Sequence, residues 1–228
     1  MGNQDRTFLF LDLGTVDYNE AFAFQKRLVE GRARGRRKDT FILLEHPPVF
    51  TISRRTNPEH LLVPPSILQE KGISLCETNR GGDVTYHGPG QLVGYVIMDL
   101  QSLGRDLHRY VRSLEQVVID TLSDWGIEAS RLTEHPGVWV KGEKIAAIGI
   151  AVDRRWITMH GFSLNVDPRL DHYSYIVPCG IRNKGVTSMK KILGKEVDGS
   201  KLRSDVLRHF GRIFAAAMEK AEPEDLSW

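Results

Sequence analysis

The chain has 228 residues, 41% of them hydrophobic, and a formal net charge of +2. That is enough apolar material for a sizeable core, in one large domain or two small ones, and too little net charge for a field that would favour nucleic acid or a membrane surface. Two cysteines, Cys76 and Cys179, exclude a disulfide framework and a cysteine-only zinc site and suit a reducing compartment. No apolar run approaches bilayer length. The residues before Phe8 carry no basic region, and Arg6 stands where a myristoylation signal behind Gly2 needs serine or threonine. The expectation is a cytoplasmic protein.

In chain order, residues 8–13 read as a strand and 18–30 as a helix capped by Asp17, with Tyr18, Ala21, Phe22, Gln25, Leu28 and Val29 near one face. Residues 31–39 form a basic loop. A short buried strand at 40–45 is stopped by Pro47 and Pro48, and 73–77 and 92–100 read as further strands. The clearest helix is 107–125, where Leu107, Tyr110, Leu114, Val117, Val118, Leu122 and Trp125 make one stripe before Gly126. Segments 138–140, 144–152 and 156–166 suggest a meander with turns at 141–143 and 153–155, hence antiparallel pairing. Residues 202–220 read as a final helix, with 193–201 as the joint to a smaller C-terminal segment. Strands and helices intersperse without a strict βαβ rhythm, so the fold class is α+β, a mixed β-sheet flanked by helices.

Two segments carry chemistry. Arg80-Gly81-Gly82-Asp83-Val84-Thr85-Tyr86-His87-Gly88-Pro89-Gly90 is unusually rich in glycine, which lets backbone approach a ligand closely. It is either a loop that wraps a substrate or a tight connection between two strands, and it matches no Walker or dinucleotide fingerprint. His87 suits a structural or substrate-positioning role better than direct acid–base catalysis. Cys179 lies in the turn-like Pro178-Cys179-Gly180-Ile181, and loops carry chemistry more often than cores do. Lys144 is a suitable activator, because an ammonium beside a thiol favours the thiolate; the intervening strands would have to bring the two together. Cys76, inside a strand pattern, reads as buried and inert. His87, His160 and His172 lack compact ligand spacing, so no metal is expected.

Five segments in order resemble the lipoyl(octanoyl) transferase family: Leu44-Glu45-His46-Pro47-Pro48-Val49-Phe50-Thr51, the stretch 80–94, Gly137-Val138-Trp139-Val140 with 144–149, His160-Gly161-Phe162-Ser163-Leu164-Asn165-Val166, and Pro178-Cys179-Gly180-Ile181 followed by Gly185-Val186-Thr187-Ser188-Met189. Ser53 stands where the family is expected to have glycine, and Ser163 where alanine is usual. The resemblance implies the fold of the biotin and lipoate protein ligase catalytic module, as one domain over residues 1–228. It implies that an octanoyl group passes from octanoyl-acyl carrier protein, through a Cys179 thioester, to a lysine of lipoyl domains. The acceptors would be 2-oxoacid dehydrogenase complexes and the glycine cleavage H protein, with no cofactor, nucleic acid or membrane involved. Cys179 and Lys144 are then the catalytic residues. Arg80, Gly81, Gly82, Asp83, Val84, Thr85, Tyr86, His87, Ala147, Ile148, Gly149, Gly161, Phe162 and Ser163 would bind substrate, with an apolar slot near Val84, Tyr86, Ala147, Ile148 and Phe162. Backbone N–H groups near Cys179 and in the glycine loop are candidate oxyanion donors. The rival readings are an ATP-dependent lipoate or biotin ligase, which would not need Cys179, and a non-catalytic module that binds lipoyl domains. The basic stretch 31–37 superficially resembles the adenylate loop of biotin ligases, but its place between the first helix and an early strand argues against that role.

Overall fold

In the computed structural model, residues 6–54, 56–181 and 183–222 are described; the reading of the first five residues lies outside them. Strand β1 (Arg6–Thr15) leads into helix α1 (Tyr18–Ala33). The Asp17 carboxylate caps α1 by accepting the N–H groups of Asn19 and Glu20. Strands β2 (Asp39–Glu45) and β3 (Val49–Ser53) follow on either side of the two prolines. After them come α2 (Pro65–Glu70), β4 (Ser74–Thr78), β5 (Thr85–His87) and β6 (Gln91–Ile97). Helix α3 (Leu107–Asp124) precedes the meander β7 (Val138–Val140), β8 (Glu143–Val152) and β9 (Thr158–Asn165). The chain ends with α4 (Met189–Leu193), α5 (Gly199–Phe214) and β10 (Ala216–Lys220).

Seven strands form a mixed sheet in the order β10-β1-β2-β6-β9-β8-β7, and β4-β3-β5 form a second, small sheet. β1 runs parallel to both β2 and β10, and the remaining pairs of the large sheet are antiparallel. Strand alternation gives the large sheet two apolar faces. One takes α3 and α5, where Leu114, Val117 and Leu122 meet Val206, Phe210 and Phe214, and the Phe41 and Phe210 rings stack at 4.1 Å. The other takes α1, through Ala21, Phe24 and Leu28 against Ile42, Leu44, Tyr95 and Ile97. The small sheet packs on the start of α1 through Tyr18, Val49 and Cys76. Phe24 rather than Phe22 is the buried phenylalanine of α1.

The mixed sheet and flanking helices agree with the α+β expectation, and three local readings are corrected. The helix expected over 202–220 ends at Phe214. Ala215 takes a left-handed conformation (φ 48°), and the residues after it pair with β1 from Arg6↔Ala216 to Phe10↔Lys220. The joint at 193–201 therefore leads to no separate segment: α5 packs on α3, and β10 completes the main sheet. The glycine-rich stretch is neither a pure loop nor a plain turn, since its middle forms β5 against β3. The basic loop is largely neutralised, with Arg32 on Asp39, Arg34 on Glu30 and Lys38 on Glu219, each at 2.6 Å. No helix of the described residues is long and apolar enough to cross a membrane.

Candidate active site

Between the two sheets lies a slot. It exists because four neighbouring positions on one face of the large sheet are small: Ala147 pairs with Ser163, and Gly149 with Gly161. Tyr95, paired with Gly161, closes that face on the β6 side. Ile148 and Phe162 border the slot from the same strands, although they pack with the α3/α5 core. Gly161 is required by the sheet itself, since a Cβ there would sit 2.3 Å from the Gly94 carbonyl oxygen.

The opposite wall is the glycine-rich stretch. Arg80, Gly81, Gly82, Thr85 and His87 line the slot. Alternation along β5 sends Thr85 and His87 inward and Tyr86 the other way, into a separate cluster with Val84, Phe50 and Tyr173. Val84 and Tyr86 are thus 0% exposed core residues outside the slot. Asp83 also lies outside the lining; it accepts the Val84 N–H at 2.7 Å and bonds the His60 ring. Ser53, the departure from the expected glycine, donates its hydroxyl to the Gly82 carbonyl at 2.8 Å and so ties β3 to this corner.

Cys179 closes the slot. It is half-buried and left-handed (φ 55°, ψ 21°), and its N–H donates to the Val84 carbonyl at 3.0 Å. Gly180, also left-handed (φ 72°), rests on the His60–Asp83 pair: a Cβ there would lie 3.2 Å from Asp83 Oδ2. The N–H groups of Gly81, Cys179 and Gly180 are already committed, to the carbonyls of Ile150, Val84 and Val177. Oxyanion donation from those three amides is thereby disfavoured.

A second, outer cavity shares Gly81, Gly82, Ile148, Gly149 and Cys179 with the slot and adds Lys144, His135 and Pro136. Cys179 and Lys144, 35 residues apart in sequence, therefore open onto one space. The segment after Cys179 closes that distance. It bridges back onto β8, with the Lys144 N–H donating to the Gly185 carbonyl and the Thr187 N–H to the Lys144 carbonyl. Lys144 is 7% exposed, its ammonium lies 4.8 Å from the Trp139 ring centroid, and no carboxylate pairs with it among the described residues. Its stem passes beside Gly137 (φ 129°), whose N–H is held at 2.9 Å by the fully buried Glu115 carboxylate. Glu115 also accepts from Arg112 and Arg131 at 2.9 and 3.0 Å.

Three histidines surround the inner end, and burial is the first cause that lowers each of their pKa values. His46 falls to about 4, His160 to about 3, and His87 well below its ordinary value. All three are neutral near pH 7, so hydrogen-bond partners fix their tautomers. His46 Nδ1 donates to the Val16 carbonyl, and its Nε2 accepts from the Tyr95 hydroxyl. For His87 the chain of bonds starts at the Thr187 carbonyl, which can only accept. Asn165 Nδ2 donates to it, Gln91 Nε2 donates to Asn165 Oδ1, and Gln91 Oε1 therefore accepts from His87 Nδ1 at 2.7 Å. His87 Nε2 is left as a lone-pair acceptor in a residue that lines the slot. Tyr95 and His160 were missed by sequence reasoning as lining residues; only period-2 alternation along β6 and β9 could have flagged them. Among the described residues no group of three or more His, Cys, Asp or Glu is placed to hold a metal ion.

The slot between the two sheets ends at a thiol, and the outer cavity brings that thiol and an amine onto one space. A lipoate-protein ligase A structure bound with ATP superposes with a TM-score of 0.78 at 19% identity, covering 98% of this chain and 93% of that one. The biotin protein ligase from Aquifex aeolicus, in complex with biotin and ATP, gives 0.55 at 15%, over 92% and 71%. At those identities the likeness is one of fold. Residues 17–211 match the lipoyl protein ligase A/B catalytic domain, and the chain belongs to that family. It is 48% identical over 216 residues to an octanoyltransferase of Caldicellulosiruptor saccharolyticus, covering 94% of this chain and 92% of that one. It is 51% identical over 202 residues to one of Solibacter usitatus, covering 89% and 90%. Its activity is octanoyl transfer, an acyltransferase reaction of lipoate biosynthesis.

Proposed function

We propose that Cys179 carries the octanoyl group between two protein partners and that Lys144 moves the proton. The observation behind this reading is that Cys179 lines both the slot and the outer cavity, while Lys144 lines only the latter. The thiolate attacks the thioester of octanoyl-acyl carrier protein. The new C–S bond to Cys179 forms as the bond to the carrier's phosphopantetheine sulfur breaks, and that sulfur leaves as a thiol with the proton Cys179 gave up. The neutral amine of a lipoyl-domain lysine then attacks the acyl-enzyme. It loses one proton, which passes by way of Lys144, and the amide forms as Cys179 departs as sulfur anion. Thioester exchange is nearly balanced and amide formation runs downhill, so the cycle needs no nucleotide. The acyl chain lies along Ala147, Gly149, Gly161 and Ser163. The natural acceptors are the lipoyl domains of 2-oxoacid dehydrogenase complexes and the glycine cleavage H protein, and the whole chain works as one catalytic domain in the cytoplasm.

Intact-mass spectrometry after incubation with octanoyl-acyl carrier protein tests the reading. The wild-type chain gains one octanoyl mass and Cys179→Ala gains none. Undiminished acylation of the variant would reject the assignment, as would an absolute ATP requirement with pyrophosphate release on adding lipoate and magnesium.

A further inference from the structure

Lys144 is asked to do two things that conflict. A lysine that stabilises a thiolate must be charged, and one that accepts a proton must be neutral. A second cation resolves the conflict. Arg80 is only 8% exposed, and all its bonds go to neutral acceptors: Nε and Nη2 to Thr51 Oγ1, Nη2 to the Thr51 carbonyl, and Nη1 to the Gly81 carbonyl. Among the described residues no carboxylate lies within ion-pair distance of it. Asp83, three residues on, is engaged by His60 and the Val84 N–H. A buried guanidinium cannot shed its proton, and burying it without an anion is costly. The glycines place it deliberately: a Cβ on Gly149 would press on Arg80 Cδ at 3.2 Å, and one on Gly82 would touch Nη1 at 3.5 Å. Among the described residues that line the slot, only Cys179 and Tyr95 can become anions, and Tyr95 is a buried phenol, pushed well above its usual range, that donates to His46.

We propose that Arg80 is the standing counter-ion of the Cys179 thiolate, which frees Lys144 to cycle between its charged and neutral forms. This rests on the Cys179 reading above. Burial depresses the Arg80 pKa, and the Cys179 charge is the largest influence acting the other way. Among the described residues, the other ionisable groups about the sulfur are Lys144 and His135 in the outer cavity, the His60–Asp83 pair beneath Gly180, Tyr173, and the neutral His87 and His160. Arg80 acts through the sulfur, so it is a positioning residue rather than a catalytic one.

The test is the pH profile of iodoacetamide alkylation at Cys179, followed by peptide mass so that Cys76 does not interfere. Arg80→Gln is expected to move the profile up by about one pH unit, which is about tenfold less thiolate below the midpoint. Arg80→Lys restores most of the shift. Thr51→Val, which removes the hydroxyl holding the guanidinium, moves it the same way by less. Superimposable profiles for the wild type and a folded Arg80→Gln overturn the proposal. If that variant does not accumulate folded, an unchanged profile in Thr51→Val overturns it alone. Alkylation needs no acyl donor, so a wild-type chain that forms no acyl-enzyme, while its profile still shifts on Arg80→Gln, would refute the Cys179 transfer reading and leave Arg80 standing.

Discussion

Ala147→Leu measures the length of the slot. Ala147 sits across from Ser163 in the floor of small residues, and leucine there adds three carbons to the slot. If they displace three methylenes of the acyl chain at ~0.8 kcal/mol each, the octanoyl group loses ~2.4 kcal/mol of burial. At ~1.4 kcal/mol per tenfold, that is about a 50-fold fall in kcat/KM. Chains three methylenes shorter never reached that space and keep their rate. The assay is a competition among acyl carriers bearing four- to ten-carbon chains, with acyl-enzyme species resolved by intact mass. The preferred length should shorten by two to three carbons. An equal fall at every length, or an undisturbed preference for octanoyl, would show that the chain does not lie over Ala147.

Removing the buried Glu115 carboxylate strands the Gly137 N–H and leaves two arginines without their shared partner. Both arginines are partly exposed, which moderates the loss, and Glu115→Ala should cost about 2–3 kcal/mol, a fall of about 5–10 °C in Tm; an unchanged Tm would refute it. Acid should destabilise the fold through His46 and His160. Their folded pKa values, about 4 and about 3, lie below the unfolded value, so the unfolded chain binds more protons and stability falls as pH drops below about 6.5. Each contributes a loss of about 2 kcal/mol at pH 5. Urea midpoints at pH 7.5 and 5 read the effect, and His160→Asn should lessen it by that residue's share of about 2 kcal/mol.

How much of this was legible in the sequence depended on the force that set each element. α3 was read almost to the residue because an apolar stripe on one face is all its packing requires. α5 was read too long because residues 215–220 are acceptable in a helix; what overrides propensity is the exposed edge of β1, which takes them as a parallel strand. β5 was hidden by the glycines around it. Its alternation decides which members of that stretch reach the slot: Thr85 and His87 line it, and Val84 and Tyr86 pack in a separate cluster. Cys179 stood out by its turn-like segment and Lys144 as an ammonium able to activate it, and the resemblance is what implies that the pair is catalytic. Their shared cavity depends on the bridge from residues 185–187 to β8, and no local pattern announces that bridge. Glu115 was invisible for the same reason: it occupies a helical position where a charge would normally face water, and the backbone N–H that explains it is 22 residues away.

The electrostatics of the slot follow from which of its polar groups can carry charge. A fatty chain and a sulfur anion make opposite demands on one small space. Dispersed charge would repel the chain, and an absence of charge would leave the sulfur protonated. Burial keeps His46, His87 and His160 neutral, and the Arg80 charge lowers His160 and His87 further. The histidines therefore supply shape and directed lone pairs without adding cations along the chain's path. Among the described residues that line the slot, the one permanent cation is Arg80, fixed by Thr51 and Gly81 on the glycine-rich wall. Cys179 is hung on the carbonyl of Val84 in that same wall. Displacing the wall would therefore move cation and sulfur together, and the side of the slot built from Ala147, Gly149, Gly161 and Ser163 can remain apolar.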